Sequence, residues 1–364
     1  MKRYRVGIIG LGRMGSTIDD EGHSRQPYSI AASCRASDRL EVATAADLRP
    51  ERREAFRERW GVEAVYEDYR QMVAEQRPDL VAVCTTASGL QKPANEAPDA
   101  SFRGDSHAEL SIALAELGVP MLYMEKAMAS SPRMADAARD ACMAAGTLFN
   151  TGVLRRFDNR YDAVRQAIAD GTIGTPQAAV QYARSNLMHG HVHSIDTLSF
   201  LLGDPPFEAI RGELLPREAG GAPRTVEGDH IPSDPDATFQ LRFAGGVEAW
   251  SVPAGNWEFE VLGSEGVIRS ENNGAGITLR TAAGPGRRPD LVPAPIEVPE
   301  ARSPVVACLE DLVDAYESGR TTRSPVDLSA RIVDACVAVA ESHRRGGAWV
   351  DLPLDARDLY IFHV

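Results

Sequence analysis

Cysteine is scarce in this 364-residue chain: Cys34, Cys84, Cys142, Cys308 and Cys336, with no C-x-x-C pair among them. That scatter excludes a disulfide framework and a cysteine-rich zinc site, and reads as free thiols in a reducing compartment. Long hydrophobic runs are also missing. No stretch approaches the roughly 20 apolar residues needed to span a bilayer. The basic start Met1-Lys2-Arg3-Tyr4-Arg5 leads into an apolar run that Gly10 and Gly12 break, too short for the core of a signal peptide. A cytoplasmic home without membrane attachment is therefore expected. Positive charge is in deficit as well: 39 Lys and Arg against 52 Asp and Glu leave a net charge of −13. Nucleic acid and anionic membrane are thereby excluded as main partners, because neutralising phosphates needs an excess of cations. A local basic pocket for a pyrophosphate stays compatible with this balance.

What is present is an ordinary globular composition, 43% hydrophobic and 25% charged, in a chain long enough for two domains. Up to about residue 150, short apolar runs alternate with helical patterns. Tyr4 to Ile9, Leu40 to Ala46, Leu80 to Cys84, Val119 to Met124 and Thr147 to Asn150 read as strands. Pro50 to Trp60, Ser106 to Leu117 and Pro132 to Ala145 read as helices, each followed by glycine. Continuous apolar strands between helices predict a doubly wound parallel sheet buried on both faces. Two segments, Asp19 to Asp38 and Ala87 to Gly104, interrupt the rhythm and read as long loops near the ligand edge of the sheet. Beyond residue 150 the pattern changes. Helices are expected over Arg156–Asp170, Val192–Leu202, Val305–Ser318 and Asp327–Arg344. Strands are expected over Gln177–Arg184, Ala237–Phe243, Val247–Val252, Glu258–Leu262 and Gly266–Ser270, with Gly245-Gly246 as a hairpin turn. Arg211 to Pro235 and Ala282 to Pro304 read as loops. The expected fold class is α/β, with a Rossmann-type domain at 1–150 and a second α/β domain with a mostly antiparallel sheet at 151–364.

Gly10-Leu11-Gly12-Arg13-Met14-Gly15 is G-x-G-x-x-G, placed directly after the first predicted strand and before a predicted helix. Gly10 permits the tight turn, Gly12 lets the backbone approach a pyrophosphate, and Gly15 allows close helix–strand packing. Asp47 closes the second strand, where a carboxylate accepts hydrogen bonds from a ribose diol and repels a 2′-phosphate. The expected cofactor is therefore NAD in preference to NADP, with Arg49 close enough to soften the discrimination.

Glu125-Lys126 follows the Val119–Met124 strand, at the end of the sheet where nicotinamide chemistry takes place. An ammonium there can donate a hydrogen bond to a substrate oxygen and stabilise a developing alkoxide. The second cluster is His189-Gly190-His191-Val192-His193-Ser194-Ile195-Asp196. On a strand all three histidines would share a face; on a helix His189 and His193 would. Taking the hydroxyl proton during hydride removal needs a base, and histidine suits that task near neutral pH. A zinc site is the other reading, but no cysteine cluster or His-Glu motif accompanies the histidines, so no metal is expected.

Taken together, these motifs resemble the glucose–fructose oxidoreductase, inositol dehydrogenase and MocA-like family. The resemblance spans nearly the whole chain: Gly10–Gly15, Asp47, Thr85-Thr86, His107-Ala108-Glu109-Leu110, Glu125-Lys126, Gly152 to Gly174, and His193-x-x-Asp196 before Leu201-Leu202-Gly203. It implies a Rossmann domain followed by an α/β domain whose large, mostly antiparallel open sheet makes homo-oligomer contacts, as a dimer or tetramer. It implies an NAD(P)-dependent enzyme acting on a small polyhydroxylated substrate, a sugar, cyclitol or related polyol. It places Gly10, Gly12, Arg13, Met14, Gly15, Asp47, Thr85, Thr86, His107, Glu125 and Lys126 with the cofactor. Lys126 orients nicotinamide and substrate by this analogy, and His193 is the acid/base. Two departures matter. Ala127 stands where the family's Glu-Lys-Pro motif has proline, and His189 stands where the family often has aspartate, which leaves His189 as an alternative base. Arg155, Arg156, Asp158, Tyr182, Asn186 and Asp196 are the candidate substrate contacts. Besides net dehydrogenation, transient oxidation leading to elimination, hydrolysis or epimerisation fits these residues, and so does a dinucleotide-binding sensor without turnover.

Overall fold

The computed structural model describes residues 2–22, 27–87, 104–216, 221, 224–226, 228–284 and 290–363. The chain forms two compact units. One comprises Met1–Phe157 with Arg302–Ala330; the other comprises Asp158–Ala301 with Arg331–His363.

In the first unit the strands are β1 (Tyr4–Ile9), β2 (Leu40–Ala46), β3 (Val65–Tyr66), β4 (Leu80–Val83), β5 (Met121–Met124) and β6 (Leu148–Thr151). They pair in parallel in the order β3-β2-β1-β4-β5-β6. This is the doubly wound order, with its switch point between β1 and β4, where ligands bind beyond the carboxyl ends of the strands. Every residue of β4 and β5 is buried, as near-continuous apolar runs require. The helices are α1 (Ile30–Ala36), α2 (Pro50–Trp60), α3 (Tyr69–Gln76), α4 (Ser106–Glu116) and α5 (Pro132–Ala145). Their starts are chemically marked: Ser29, Asp68, Asp105 and Ser131 each accept a backbone N–H of the first turn.

The second unit opens with α6 (Asn159–Ala169), followed by β7 (Pro176–Tyr182), β8 (Ser185–Asn186), α7 (Val192–Leu201), β9 (Phe207–Leu214), β10 (His230–Ile231), β11 (Asp236–Phe243), β12 (Glu248–Val252), β13 (Glu258–Gly263), β14 (Gly266–Glu271), β15 (Gly276–Ala282) and β16 (Leu291–Ala294). After α8 (Pro304–Ser318) and α9 (Val326–Arg344) come β17 (Val350–Asp351) and β18 (Tyr360–Ile361). The large sheet runs β16-β15-β14-β13-β7-β12-β11-β9-β17, with β8 added beside β11. Among the described residues its one parallel pair is β7 with β12; the other pairs are antiparallel. Strand β11 alternates strictly, Ala237, Phe239, Leu241 and Phe243 inward and the residues between them half-exposed. That period of two marks a sheet with one face packed and one face open.

Several expectations need correcting. The fingerprint does not open a regular α-helix: Arg13–Thr17 is a five-residue π-helical turn and Ile18–Glu21 a 3-10 turn. The segment expected as a loop, Asp19 to Asp38, contains α1. Asp19 folds that segment back on itself, its carboxylate accepting the N–H groups of Tyr28 (2.6 Å) and Ser29 (2.9 Å). Short β3 and α3 lack an apolar pattern long enough to be read. Arg211 to Pro235 is not all loop, because β9 runs to Leu214 and β10 lies within it; β16 lies within Ala282 to Pro304. The Ala87–Gly104 loop falls almost wholly outside the described residues. The division at residue 150 also differs from the compact units, which return Arg302–Ala330 to the first. The cause is α8: Val305, Cys308, Leu309, Leu312 and Val313 are buried in one cluster with Tyr4, Leu40 and Tyr123. Asn150 on β6 reinforces this, its amide donating to the Asp311 carboxylate (2.9 Å) and the Cys308 carbonyl (3.1 Å). All five thiols are free, and burial pushes Cys34 and Cys142 up to about 12. Among the described residues no helix is long and apolar enough to cross a membrane.

Candidate active site

The glycine turn after β1 shows three different constraints. A Cβ on Gly10 would stand 2.7 Å from the Cys84 carbonyl group, and one on Gly15 would stand 2.1 Å from the Gly10 oxygen. Those two positions are bare because the protein itself presses on them. A Cβ on Gly12 would meet nothing nearer than the Arg52 guanidinium at 3.5 Å. Gly12 is thus bare without a packing reason of its own, which fits a pyrophosphate approaching that backbone. Arg13 is exposed and bonded to Glu21 at 2.5 Å, and Met14 is half-buried.

Asp47 sits at the end of β2 as expected, but its carboxylate is already engaged. Oδ2 accepts the Leu11 N–H at 2.8 Å and Oδ1 the Arg49 N–H at 2.9 Å, with Arg52 at 3.7 Å. One carboxylate therefore ties the glycine turn to the start of α2. Its remaining lone pairs can still meet a ribose diol.

After β4, Thr85 and Thr86 lead into the segment that precedes α4. Thr85 Oγ1 lies 3.1 Å from Ser106 Oγ, and Ser106 also bonds the Thr86 carbonyl. His107 is buried, with Nδ1 2.7 Å from the Ala127 carbonyl and Nε2 2.9 Å from the Thr85 carbonyl. The ring lies between two backbone carbonyls, and in its neutral form it donates to one of them. Burial lowers its pKa, since an imidazolium is disfavoured away from water. Asp105 complements it by accepting the Ser130 N–H at 2.5 Å, and burial pushes its carboxyl up to about 7. His107 at the Ala127 carbonyl and Asp105 at the Ser130 N–H thus hold the loop Lys126–Ser130 at two points.

Glu125 is buried at the end of β5. Its Oε1 accepts the Tyr123 hydroxyl at 2.5 Å and its Oε2 faces the Lys126 N–H at 3.4 Å. Burial raises its pKa, while the Lys126 charge pulls it down. Lys126 is half-buried, and the chain has only two other lysines, Lys2 and Lys92, among 39 basic residues. That rarity is a signal the motif reading left unused: an amine can release its proton, whereas a guanidinium cannot.

In the second unit the three histidines diverge. Leu187–His191 forms a π-helical turn that leads into α7, so no strand or single regular helix aligns them. His189 is exposed, and its backbone N–H donates to Asp234 at 2.7 Å. His191 is fully buried, with Nε2 2.8 Å from the Ala237 carbonyl, Nδ1 3.2 Å from Ser194 Oγ, and its ring edge-on to Phe239. Burial takes it down to about 4, so it is a neutral structural ring. His193 is half-buried on the first turn of α7, its ring nearly perpendicular to that of Trp257. Asp196 lies one turn further along and is fully buried. Among the described residues no group of His, Cys, Asp and Glu is close enough to hold a metal.

The candidate substrate contacts are largely committed to the fold. Arg156 is 1% exposed. Asp158 caps α6 and pairs with Arg160 at 2.5 Å. The Tyr182 hydroxyl donates to Glu260 at 2.8 Å, and Arg269 lies over its ring, on the face of β7 opposite buried Gln181. Asn186 pairs with Asp236 at the sheet margin. Arg155 is half-buried.

Comparison with known proteins places this arrangement. Residues 4–153 match the model of an oxidoreductase family with an NAD-binding Rossmann fold. An inositol 2-dehydrogenase of Paracoccus denitrificans is 26% identical, over 97% of this chain and 98% of its own. A myo-inositol 2-dehydrogenase of Thermotoga maritima is 25% identical, over 74% of this chain and 75% of its own. The fold also matches the crystal structure of an aldose–aldose oxidoreductase from Caulobacter crescentus with a TM-score of 0.74, at 19% identity over 96% of this chain and 100% of that one. Residues 4–153 thus match the NAD-binding Rossmann fold of the glucose–fructose oxidoreductase, inositol dehydrogenase and MocA-like oxidoreductase family, and the chain as a whole is similar to inositol 2-dehydrogenases.

Proposed function

We propose that the protein is an NAD-dependent dehydrogenase acting on a secondary alcohol of a sugar, cyclitol or related polyol. The observation that carries this reading is Lys126, a rare lysine at the carboxyl end of β5 in an NAD-binding sheet, on a loop held by Asp105 and His107. The polyol class follows the curated relatives, which are named inositol 2-dehydrogenases. NAD, when bound, supplies the hydride acceptor. The turn that Gly10 and Gly15 shape brings the bare Gly12 backbone to its pyrophosphate, and Asp47 reads its ribose. Lys126 donates a hydrogen bond to the reacting oxygen and stabilises the negative charge that grows there. His193 takes the hydroxyl proton, its ring being half-buried where that of His191 is fully buried; exposed His189 is the alternative base. The protein works in the cytoplasm as a homo-oligomer.

The test is reduced-nicotinamide absorbance with purified protein, NAD and pools of sugars, cyclitols and sugar acids. A rise with one pool is expected. Lys126→Met and Lys126→Arg should each lower kcat on it about a hundredfold or more, the range of acid–base and electrostatic contributions, with NADH affinity altered far less. Equal turnover in both variants removes Lys126 from the chemistry. No rise with any pool while NADH still binds replaces the dehydrogenase reading with transient oxidation or a sensor.

A further inference from the structure

The loops before β13 and after β14 hold a concentration of left-handed backbone. Gly255 (φ 100°), Trp257 (φ 55°), Asn272 (φ 46°), Asn273 (φ 56°) and Gly274 (φ 86°) all lie there. Glycine adopts this region freely and asparagine readily, but for a bulky side chain it is a genuine outlier. The two loops brace each other. The Asn273 N–H donates to the Trp257 carbonyl at 3.2 Å, and Asn256 Nδ2 donates to Asn272 Oδ1 at 3.2 Å. They are also pressed onto their neighbours: a Cβ on Gly255 would stand 2.8 Å from Tyr182 Cβ, and one on Gly274 2.9 Å from the Tyr161 ring. Trp257 is therefore held in an unfavourable conformation by its surroundings, a pattern that marks ligand clamps and active sites.

The held conformation sets the indole against His193, with ring centroids 6.3 Å apart and planes at 89°. Neither ring is fully buried, so Trp257 is no core plug. A hydroxyl that gives its proton to His193 must come within about 3 Å of an imidazole nitrogen. The ring carrying that hydroxyl then lies against whatever flanks the imidazole. We propose that Trp257 is a specificity-determining residue: its indole packs on the C–H face of a cyclic polyol or pyranose whose hydroxyl His193 deprotonates. This rests on the reading of His193 as the acid/base. The chemistry selects the class. The negative face of an aromatic ring attracts polarised C–H groups. A six-membered ring with its hydroxyls at the rim presents such a face rigidly, whereas an open-chain polyol must order its rotors to do so.

The experiment compares wild type, Trp257→Phe and Trp257→Gly on myo-inositol and glucopyranose as cyclic probes and sorbitol as the linear one. It reads kcat, KM, NADH affinity, Tm and the intrinsic fluorescence of the NADH-bound protein. Trp257→Gly removes the ring while accepting the left-handed backbone. It should raise KM for the cyclic probe at least tenfold, with NADH affinity unchanged, KM for sorbitol within threefold, and Tm equal or higher. Trp257→Phe should fall between, and the fluorescence change that the cyclic probe causes in wild type should vanish in it. A lowered Tm with unchanged KM makes Trp257 a packing residue and overturns the proposal, as does an equal loss on cyclic and linear probes. Wild type that binds the cyclic probe with a Trp257-dependent signal yet turns nothing over keeps this inference and removes the dehydrogenase reading. Wild type that neither binds nor oxidises any polyol overturns both.

Discussion

Asp47 combines two demands on one carboxylate. It holds the glycine turn through the Leu11 N–H and the start of α2 through the Arg49 N–H, and in the proposed function it also reads the ribose. Arg52, 3.7 Å away and beside Gly12, is kept near neutral balance by the same carboxylate. Removing the acid therefore loosens the turn and releases a guanidinium, which suits a phosphate well. Asp47→Ala should weaken NAD binding roughly tenfold, the worth of one charge-assisted hydrogen bond, and weaken NADP binding less or strengthen it. Titration of both cofactors measures the ratio; an unchanged NAD to NADP preference would show that another residue reads the ribose. The residue scale also separates the histidines. Sequence spacing leaves the role of His191 open, and its complete burial decides it.

The stretch from the π-helical turn into α7 depends on an uncharged His191. Its pKa is about 4 in the fold against 6.5 for the free side chain, so below pH 6.5 the unfolded chain binds a proton that the folded chain refuses. Stability should be independent of this group above pH 6.5 and fall as pH drops through 6 and 5 towards 4, by about 3 kcal/mol in all at 1.36 kcal/mol per unit. Urea unfolding across that range measures it. His191→Gln should flatten the slope; a slope identical to wild type assigns the acid lability elsewhere. The loop Lys126–Ser130 shows the same logic from the opposite side. The Glu125-Lys126 pair was legible because it ends a clear strand. The anchoring by Asp105 and His107 was not, since those residues lie some 20 positions upstream and meet the loop only when α4 packs beside β5.

For the whole molecule, the open face of the large sheet is the feature that single-chain folding leaves unexplained. Its outward positions mix ion pairs, such as Arg242–Glu248 and Arg269–Glu258, with the Trp349 indole that Arg211 and Arg242 cover. Val252, at the end of β12, and Val292, on β16, are exposed. A face of this breadth, partly apolar and partly ion-paired, is suited to association with a second copy. Light scattering on the purified protein should give a mass of two or four 39.4 kDa chains; a single-chain mass at working concentration removes the homo-oligomer.

What the sequence determined by itself is local. Strand β1 and helices α2 and α5 announce themselves through apolar runs, Pro at the first turn and Gly just past the end, and the glycine fingerprint needs only its neighbours in the chain to be read. These signals act over a few residues, so no tertiary context is needed to see them. Tertiary structure decided what depends on distant partners. It returned α8 to the first unit by burying Leu309 and Leu312 beside Tyr4 and Leu40, and it ordered the strands of the second sheet, including the parallel β7–β12 pair. It also forced Trp257 into a left-handed conformation against His193, 64 residues earlier in the chain, a juxtaposition that no spacing encodes because it rests on packing between β7, α7 and the loop before β13.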